Sequence, residues 1–227
     1  MPVDMDSFLA TVPLFATLND PDRRAIASLA RDRSYGRGEA VTHYGDVWPY
    51  LFVVVEGAVD AVKESSEGRS LFVVTLEARE VFWGLAFFNE GSPMPVMLRA
   101  REDSLLSLWS REALLPILSA NGGMSLDLCR LMITRMQRAS QMVEELAFQP
   151  VAGRVARLLL YQFPPEGDYA PRNLTLDEMA ARAGTTREMV SRFLHRFANE
   201  GLIHITRTEF YVTDRQGLED LTQQVKG

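Results

Sequence analysis

The chain has 227 residues, 47% hydrophobic and 24% charged, with 24 Lys and Arg against 30 Asp and Glu for a formal net charge of −6. That length and apolar content fit one large or two small domains with real cores, and exclude a disordered tail, a collagen repeat or a coiled-coil rod. The single cysteine, Cys129, excludes an intramolecular disulfide scaffold, a four-thiolate zinc site and an iron–sulfur cluster.

The first residues, Met1 to Ala10, carry Asp4 and Asp6 in place of a basic stretch followed by an apolar core. No run of about 18 apolar residues follows, so a soluble, cytoplasmic protein with no membrane partner is expected. The first predicted element is a short helix with Asp20 as N-cap, Pro21 at the first helical position, and Ile26, Leu29 and Ala30 as its apolar stripe. From Arg33 to Trp109, short apolar runs are broken by Gly36, Gly38, Gly45-Asp46, Glu56-Gly57, the polar stretch Glu64–Arg69 and Asn89-Glu90-Gly91. Strands are expected at Tyr50–Val55, Ala58–Val62, Ser70–Leu76, Met97–Ala100 and Leu105–Trp109. Turn signals at this density predict an antiparallel sandwich or barrel.

After Pro116 the period becomes helical. Ser125, Cys129, Met132, Met136, Ala139, Val143 and Leu146 advance by alternating steps of four and three, which is a heptad seam. Leu128, Leu131 and Met142 widen the apolar surface on one side. A helix lying on a single core would explain one face. A helix gripping both its own barrel and a partner's copy explains both, so a parallel homodimer is expected, with Cys129, Met132, Met136, Ala139, Val143 and Leu146 at its interface. Cys129 would then face its symmetry mate, as a redox bridge or, more commonly, as a buried small hydrophobe. Pro150 interrupts the pattern and places a domain boundary at Phe148–Pro150.

The remainder reads as helices and a hairpin. Val151–Phe163 forms one helix, followed by a loop from Pro164 to Asp168. Thr175-Leu-Asp-Glu178 matches a capping box and opens a short helix to Arg182, stopped by Gly184. Thr185-Thr-Arg-Glu188 matches another and opens Thr186–Glu200, stopped by Gly201. Two helices joined by a Gly-containing turn make a helix-turn-helix. Leu202–Thr206 and Glu209–Thr213 pair as a wing around Arg207-Thr208, and Asp214 caps a last helix.

Charge is unevenly distributed: residues 1–150 hold 14 basic and 20 acidic side chains, residues 151–227 ten of each. Between Arg182 and Arg207 five arginines face only Glu188 and Glu200, a local field that attracts phosphate despite the acidic total. In a helix-turn-helix the N-terminal residues of the second helix reach base edges in the major groove. Positions 188, 191, 192, 195 and 196 share one face, while Met189, Val190, Phe193, Leu194 and Phe197 supply the buried side. Arginine can bridge guanine O6 and N7 and a carboxylate can accept from cytosine, each good pair giving about 1–3 kcal/mol of discrimination. Glu188 is open to three roles: contacting a base, fixing an arginine, or capping with Thr185. Thr175, Thr186 and Arg196 are candidates for phosphate contacts, which position without specifying.

Gly184-Thr-Thr-Arg-Glu-Met-Val-Ser-Arg192, followed by a wing, resembles the recognition segment of the cyclic-AMP receptor protein / fumarate–nitrate regulator (CRP/FNR) family of bacterial transcription factors. Leu146-Ala-Phe-Gln-Pro-Val-Ala-Gly-Arg154 resembles that family's hinge and first DNA-domain helix, and the turns from Gly45-Asp46 through Glu56-Gly57 its effector-binding β-roll. The resemblance implies an α+β fold: an N-terminal antiparallel β-roll of the cyclic-nucleotide-binding jelly-roll type over 1–120, a long dimerisation helix over 121–149, and a C-terminal winged helix-turn-helix over 150–227. It further implies a homodimer on a pseudo-palindromic operator in double-stranded DNA, in contact with RNA polymerase. Arg187, Glu188 and Arg192 would read bases, with Ser191 as a fourth contact.

The ligand cassette departs from the family pattern. Cyclic-AMP binders in the family resemble Gly-Glu-x-x-x-Phe followed by Arg-Ser or Arg-Thr, the glutamate holding the ribose and the arginine the phosphate. Here Gly84 stands where the glutamate would be, Met94 where the arginine would be, and Pro95 replaces the hydroxyl residue. A buried phosphate without its cation keeps its desolvation cost, which argues against cyclic AMP as effector. Trp83, Gly84, Leu85, Phe88, Met94, Pro95 and Met97, with Phe87, fit either an apolar pocket for an uncharged small-molecule effector or a collapsed core with no ligand. On the dimer helix, Ala139 and Ser140 are the positions that resemble the family's base-contacting Thr-Ser pair, and Arg135 lies one turn earlier. Haem would need axial ligands, and His43 is the only histidine in this half, which argues against it. An enzyme on the β-roll would need clustered His and carboxylate metal ligands that the domain lacks, and no catalytic motif appears. The remaining rival is a ligand-binding signalling module with no DNA activity.

Overall fold

The computed structural model describes residues 4–65, 68–162, 170–171, 174–206 and 209–224. The expected loop at Pro164–Asp168 and the wing turn Arg207-Thr208 lie outside them. The chain forms two compact units, residues 1–64 with 73–137 and residues 65–72 with 138–227, a division that falls inside the long helix. Among the described residues no helix is long and apolar enough to cross a membrane.

The first unit opens with α1 (Met5–Leu9) and α2 (Asp20–Leu29). The sequence pattern misses α1 and misplaces the cap of α2. Asn19, not Asp20, is the N-cap, its side chain accepting the Asp22 N–H at 2.9 Å. An extended Asn before Asp-Pro satisfies a free amide of the first turn, so Asp20 is free to enter the helix. Only Ile26 of the expected stripe is buried, while Leu29 is exposed.

Eight strands follow among the described residues: β1 (Arg31–Tyr35), β2 (Ala40–Thr42), β3 (Tyr50–Glu56), β4 (Val59–Glu64), β5 (Ser70–Leu76), β6 (Val81–Trp83), β7 (Met97–Ala100) and β8 (Ser104–Ser110). One sheet has the order β1-β8-β3-β6, the other β2-β7-β4-β5. In the first, β3 lies antiparallel to β8 with Phe52 opposite Leu108. In the second, β4 lies antiparallel to β7 with Ala61 opposite Leu98. The unbroken apolar run of β3 has a simple cause. Phe52 and Val54 point between the sheets at Leu98, Leu106 and Leu108, while Leu51 and Val53 point the other way, at Phe15, Phe87 and Trp109 under the helices. Both faces are buried, so the alternation expected of a one-sided strand disappears.

Between β6 and β7 lies α3 (Leu85–Phe88), and β8 runs into α4 (Arg111–Ala120), capped by Ser110. The helical stretch thus begins five residues before Pro116, which sits inside α4 rather than at its start. Asn121 separates α4 from α5 (Gly122–Phe148), a helix of 27 residues and about 40 Å. Met124 and Leu128 of α5 are buried in the core of the first unit.

In the second unit α5 ends at Phe148, and α6 (Val151–Gln162) begins after Pro150. Then come β9 (Ala170–Pro171), α7 (Leu176–Ala183), α8 (Arg187–Asn199), β10 (Ile203–Ile205), β11 (Glu209–Val212) and α9 (Arg215–Gln223). The strands form a three-stranded sheet in the order β10-β11-β9. Asp214 caps α9 as expected, accepting from the Gly217 N–H at 2.9 Å. The core gathers Val155, Ala156 and Leu159 of α6, Met179 and Ala183 of α7, Val190, Leu194 and Phe197 of α8, and Leu218 and Leu221 of α9.

Candidate nucleic-acid interface

The geometry of the second unit's surface is set at the two caps of α7 and α8. Thr175 and Glu178 form the expected capping box: the Thr175 N–H donates to Glu178 Oε2 at 2.7 Å and the Glu178 N–H to Thr175 Oγ1 at 3.2 Å. Gly184 ends α7 in the left-handed conformation, φ 59°, with both its own N–H and that of Thr185 directed at the Ala180 carbonyl. A Cβ at 184 would also push the end of the Leu146 side chain aside, but it is the left-handed backbone that favours glycine here.

The second cap corrects the sequence reading by one residue. Thr186, not Thr185, is the N-cap of α8, its hydroxyl accepting the Met189 N–H at 3.3 Å. Thr185 is still engaged in closing α7, so the capping box expected between Thr185 and Glu188 does not form. Glu188 instead folds back on its own backbone N–H, with the Thr186 hydroxyl and the nearby Arg187 charge adding to the effect, and its carboxyl is held below the usual carboxylate range. The capping role with Thr185 is therefore not the one Glu188 plays; its carboxylate bonds are with its own N–H and the Thr186 hydroxyl.

Val190, Leu194 and Phe197 bury one face of α8, and Arg187, Glu188, Arg192, His195 and Arg196 are exposed on the other, with Ser191 half-buried among them. Arg187 reaches Asp177 at 3.5 Å and Arg196 reaches Glu200 at 2.8 Å, both exposed pairs of the kind that exchanges readily for another anion. Arg192 makes no hydrogen bond or ion pair among the described residues. Thr175 and Thr186 are the N-caps of α7 and α8, and Arg196 lies in the last turn of α8. An exposed, basic helix N-terminus, backed by a rigid core, can offer charge-assisted hydrogen bonds to phosphates and base edges. Sequence reasoning gave no role to Asp177 or Arg154. Asp177 lies in the first turn of α7, and Arg154 is half-buried in the first turn of α6 between the buried Gly153 and Val155.

The effector-cassette residues are not gathered into one place. Trp83 and Phe88 pack against the core beneath the helices, their rings 6.1 Å apart, whereas Met94, 1% exposed, lies between the sheets with Phe52 and Leu98. Leu85 is exposed, Pro95 is exposed and Met97 begins β7. Trp48, Phe52 and Phe82 form a chain of ring contacts at 5.6 and 6.1 Å, and the Arg135 guanidinium lies 5.8 Å from the Phe82 ring while donating to the Val81 carbonyl at 3.1 Å. At Gly84 the Trp48 carbonyl fills the space a Cβ would need. Gly84 and Met94 supply neither the acid nor the cation of the family's usual cyclic-AMP cassette, and the Trp48 carbonyl leaves a side chain at 84 no room. Ala139 and Ser140 are exposed on the part of α5 that belongs to the second unit. Among the described residues no group of three or more His, Cys, Asp or Glu side chains could hold a metal ion.

Two family models match. The cyclic nucleotide-binding domain covers residues 32–121 and the Crp-like helix-turn-helix domain residues 153–221. Among curated relatives, the cyclic AMP receptor protein of Thermus thermophilus is 27% identical over 92% of this chain and 96% of that protein. The CRP-like cAMP-activated global transcriptional regulator of Mycobacterium tuberculosis is 26% identical over 94% and 98%. Among solved structures, a CRP/FNR-family regulator from Eubacterium rectale superposes with a TM-score of 0.80 at 23% identity, covering 93% of this chain and 98% of that one. At that identity the likeness speaks for the fold.

Proposed function

The chain belongs to the CRP/FNR family of DNA-binding transcription regulators, and from that membership we propose that it acts as a homodimer on a pseudo-palindromic operator, in contact with RNA polymerase and without cyclic AMP as its effector. The observation that carries the reading is the exposed face of α8. Arg187, Glu188, Ser191 and Arg192 stand at the helix end that enters a major groove in this scheme, outside the core that Val190, Leu194 and Phe197 fill. Arg187, Arg192 and Glu188 read bases in this scheme, with Ser191 as a further contact, and Thr175, Thr186 and Arg196 hold phosphates.

The homodimer is supported by α5. Met132, Met136 and Val143 are exposed along the heptad seam, Met136 at 66%, with Cys129 and Ala139 exposed between them and Leu146 half-buried at its end. Apolar side chains in that register cost least when a second copy covers them. Two copies clasped so would present two α8 helices about one DNA turn apart. The relatives' names carry cyclic AMP, but Gly84 and Met94 give this chain no ribose or phosphate ligand, so any effector of this protein has another chemistry.

Selection of bound sequences from random duplexes, with and without a cell metabolite extract, tests the whole reading. Enrichment of paired, inverted half-sites is expected, and a shift on adding extract would reveal an effector. No affinity for any duplex, even at low salt, would favour the signalling module instead.

A further inference from the structure

One cation in the second unit holds three backbone carbonyls from two helix ends. Arg154, in the first turn of α6, donates from Nε to the Ala183 carbonyl at 2.7 Å, from Nη2 to the Gly184 carbonyl at 3.2 Å and from Nη1 to the Gln149 carbonyl at 2.6 Å. Ala183 and Gly184 are the last residue of α7 and its left-handed cap, the turn of the helix-turn-helix. Gln149 follows the last residue of α5. Carbonyls at helix C-termini lack intrahelical partners and carry the negative end of the helix dipole. A guanidinium, with five donors in a fixed planar fork, can hold several of them at once in a set geometry, which the point charge of an ammonium on its flexible stem does not impose. The side chain is partly buried, and burial pushes its pKa down while Glu145 opposes that shift. One turn further along α6, Arg157 pairs with the Glu145 carboxylate of α5. The end of α5 and the turn before α8 are thus pinned to the same helix.

We propose that Arg154 is a positioning residue for DNA recognition: it fixes the direction in which α8 leaves the turn relative to the end of α5, and thereby the separation of the two recognition helices in the dimer. The inference rests on α8 being the recognition helix. Arg154 touches no base in this scheme. It sets where the base-reading side chains stand, so its loss alters the spacing between half-sites and leaves the bases read within each half-site unchanged.

The test compares wild type, Arg154→Lys and Arg154→Gln in the same selection from random duplexes, with a thermal melt of each protein to establish folding. Arg154→Gln is expected to keep the wild-type half-site but to accept spacings broadened by a base pair or more. Its affinity for the operator of wild-type spacing should fall roughly 10- to 100-fold, the loss of charge-assisted hydrogen bonds, while binding to a duplex with one half-site changes much less. Arg154→Lys, able to reach one or two of the carbonyls, should fall between. Unchanged spacing in Arg154→Gln, or equal loss on full and single half-sites, overturns the proposal. Should Arg154→Gln fail to fold, Arg154→Lys decides by itself: wild-type spacing and affinity overturn the proposal, broadened spacing supports it. If wild type enriches no half-site at all, the recognition-helix reading fails first and takes this inference with it.

Discussion

The carbonyl oxygen of Trp48 occupies the space that a Cβ on residue 84 would need. Gly84 has an ordinary extended backbone, φ −74° and ψ 149°, so the constraint is steric and lies wholly in the approach of β6 to the Trp48 loop. Gly84→Ala should therefore destabilise by about 1–3 kcal/mol, the usual cost of overpacking. At roughly 2–4 °C per kcal/mol that lowers Tm by several degrees in a fluorescence melt. Gly84→Glu should melt lower still and show no heat of cyclic AMP binding by calorimetry. An alanine variant as stable as wild type would mean that the Trp48 backbone yields freely and that the site has more room than the packing allows.

The exposed seam of α5 leads to a second expectation. Met136 lies at its middle and is two-thirds exposed in the single chain. Met136→Glu would place like charges face to face across the proposed twofold axis. Sedimentation equilibrium should show wild type as a dimer and the variant as a monomer, with the melting of the individual units little changed. An undiminished mass would remove the seam from the interface.

What could be read from the sequence follows from which physical signals are local. The strands at 70–76 and 97–100, the winged helix-turn-helix and the Thr175–Glu178 box were legible because apolar runs, glycine stops and capping residues act within a few positions. β1 was not, because Arg31–Ser34 are exposed polar residues that become a strand only by pairing with β8, some 75 residues away. The Thr185 capping box was misread because two threonines in succession offer the same motif twice, and the closure of α7 through the Thr185 N–H decides between them. The effector cassette was legible as a departure from a pattern. Its dispersal was not, since the burial of Met94 between the sheets and of Phe87 beneath the helices depends on which face of each element meets which layer.

The caps of the helix-turn-helix can be tested by substitution and by acid. Thr175→Ala removes one half of a capping box and should cost about 1 kcal/mol. Thr175→Ser should restore the stability and, if the hydroxyl also meets a phosphate, the DNA affinity. Glu188 behaves differently with pH. Its own backbone N–H, then the Thr186 hydroxyl and the Arg187 charge, hold its folded pKa below the unfolded one. Its contribution is complete above the ordinary carboxylate pKa of about 4.3 and is lost as pH falls through the lower folded value. The difference in Tm between wild type and Glu188→Gln should be constant from pH 7 to about pH 5 and close below it. A difference that persists at pH 3 would assign the effect to something other than the carboxylate.

Arg192 and Arg196 lie one turn apart on α8 and should fail in different ways. Arg196 is shared with Glu200 at 2.8 Å and sits at the far end of the exposed face, where a side chain meets the sugar-phosphate rail. Arg196→Ala should weaken binding to every duplex alike and reduce the slope of log affinity against log salt by about one. Arg192 carries no internal partner among the described residues and lies nearer the helix N-terminus. Arg192→Ala should cost about 1–3 kcal/mol on the cognate operator, relax the preference at one G·C position, and change random-duplex affinity far less. Titrations of both variants against cognate and scrambled duplexes at several salt concentrations distinguish the two. Equal losses on cognate and scrambled DNA for Arg192→Ala would reassign it from reading bases to gripping the backbone.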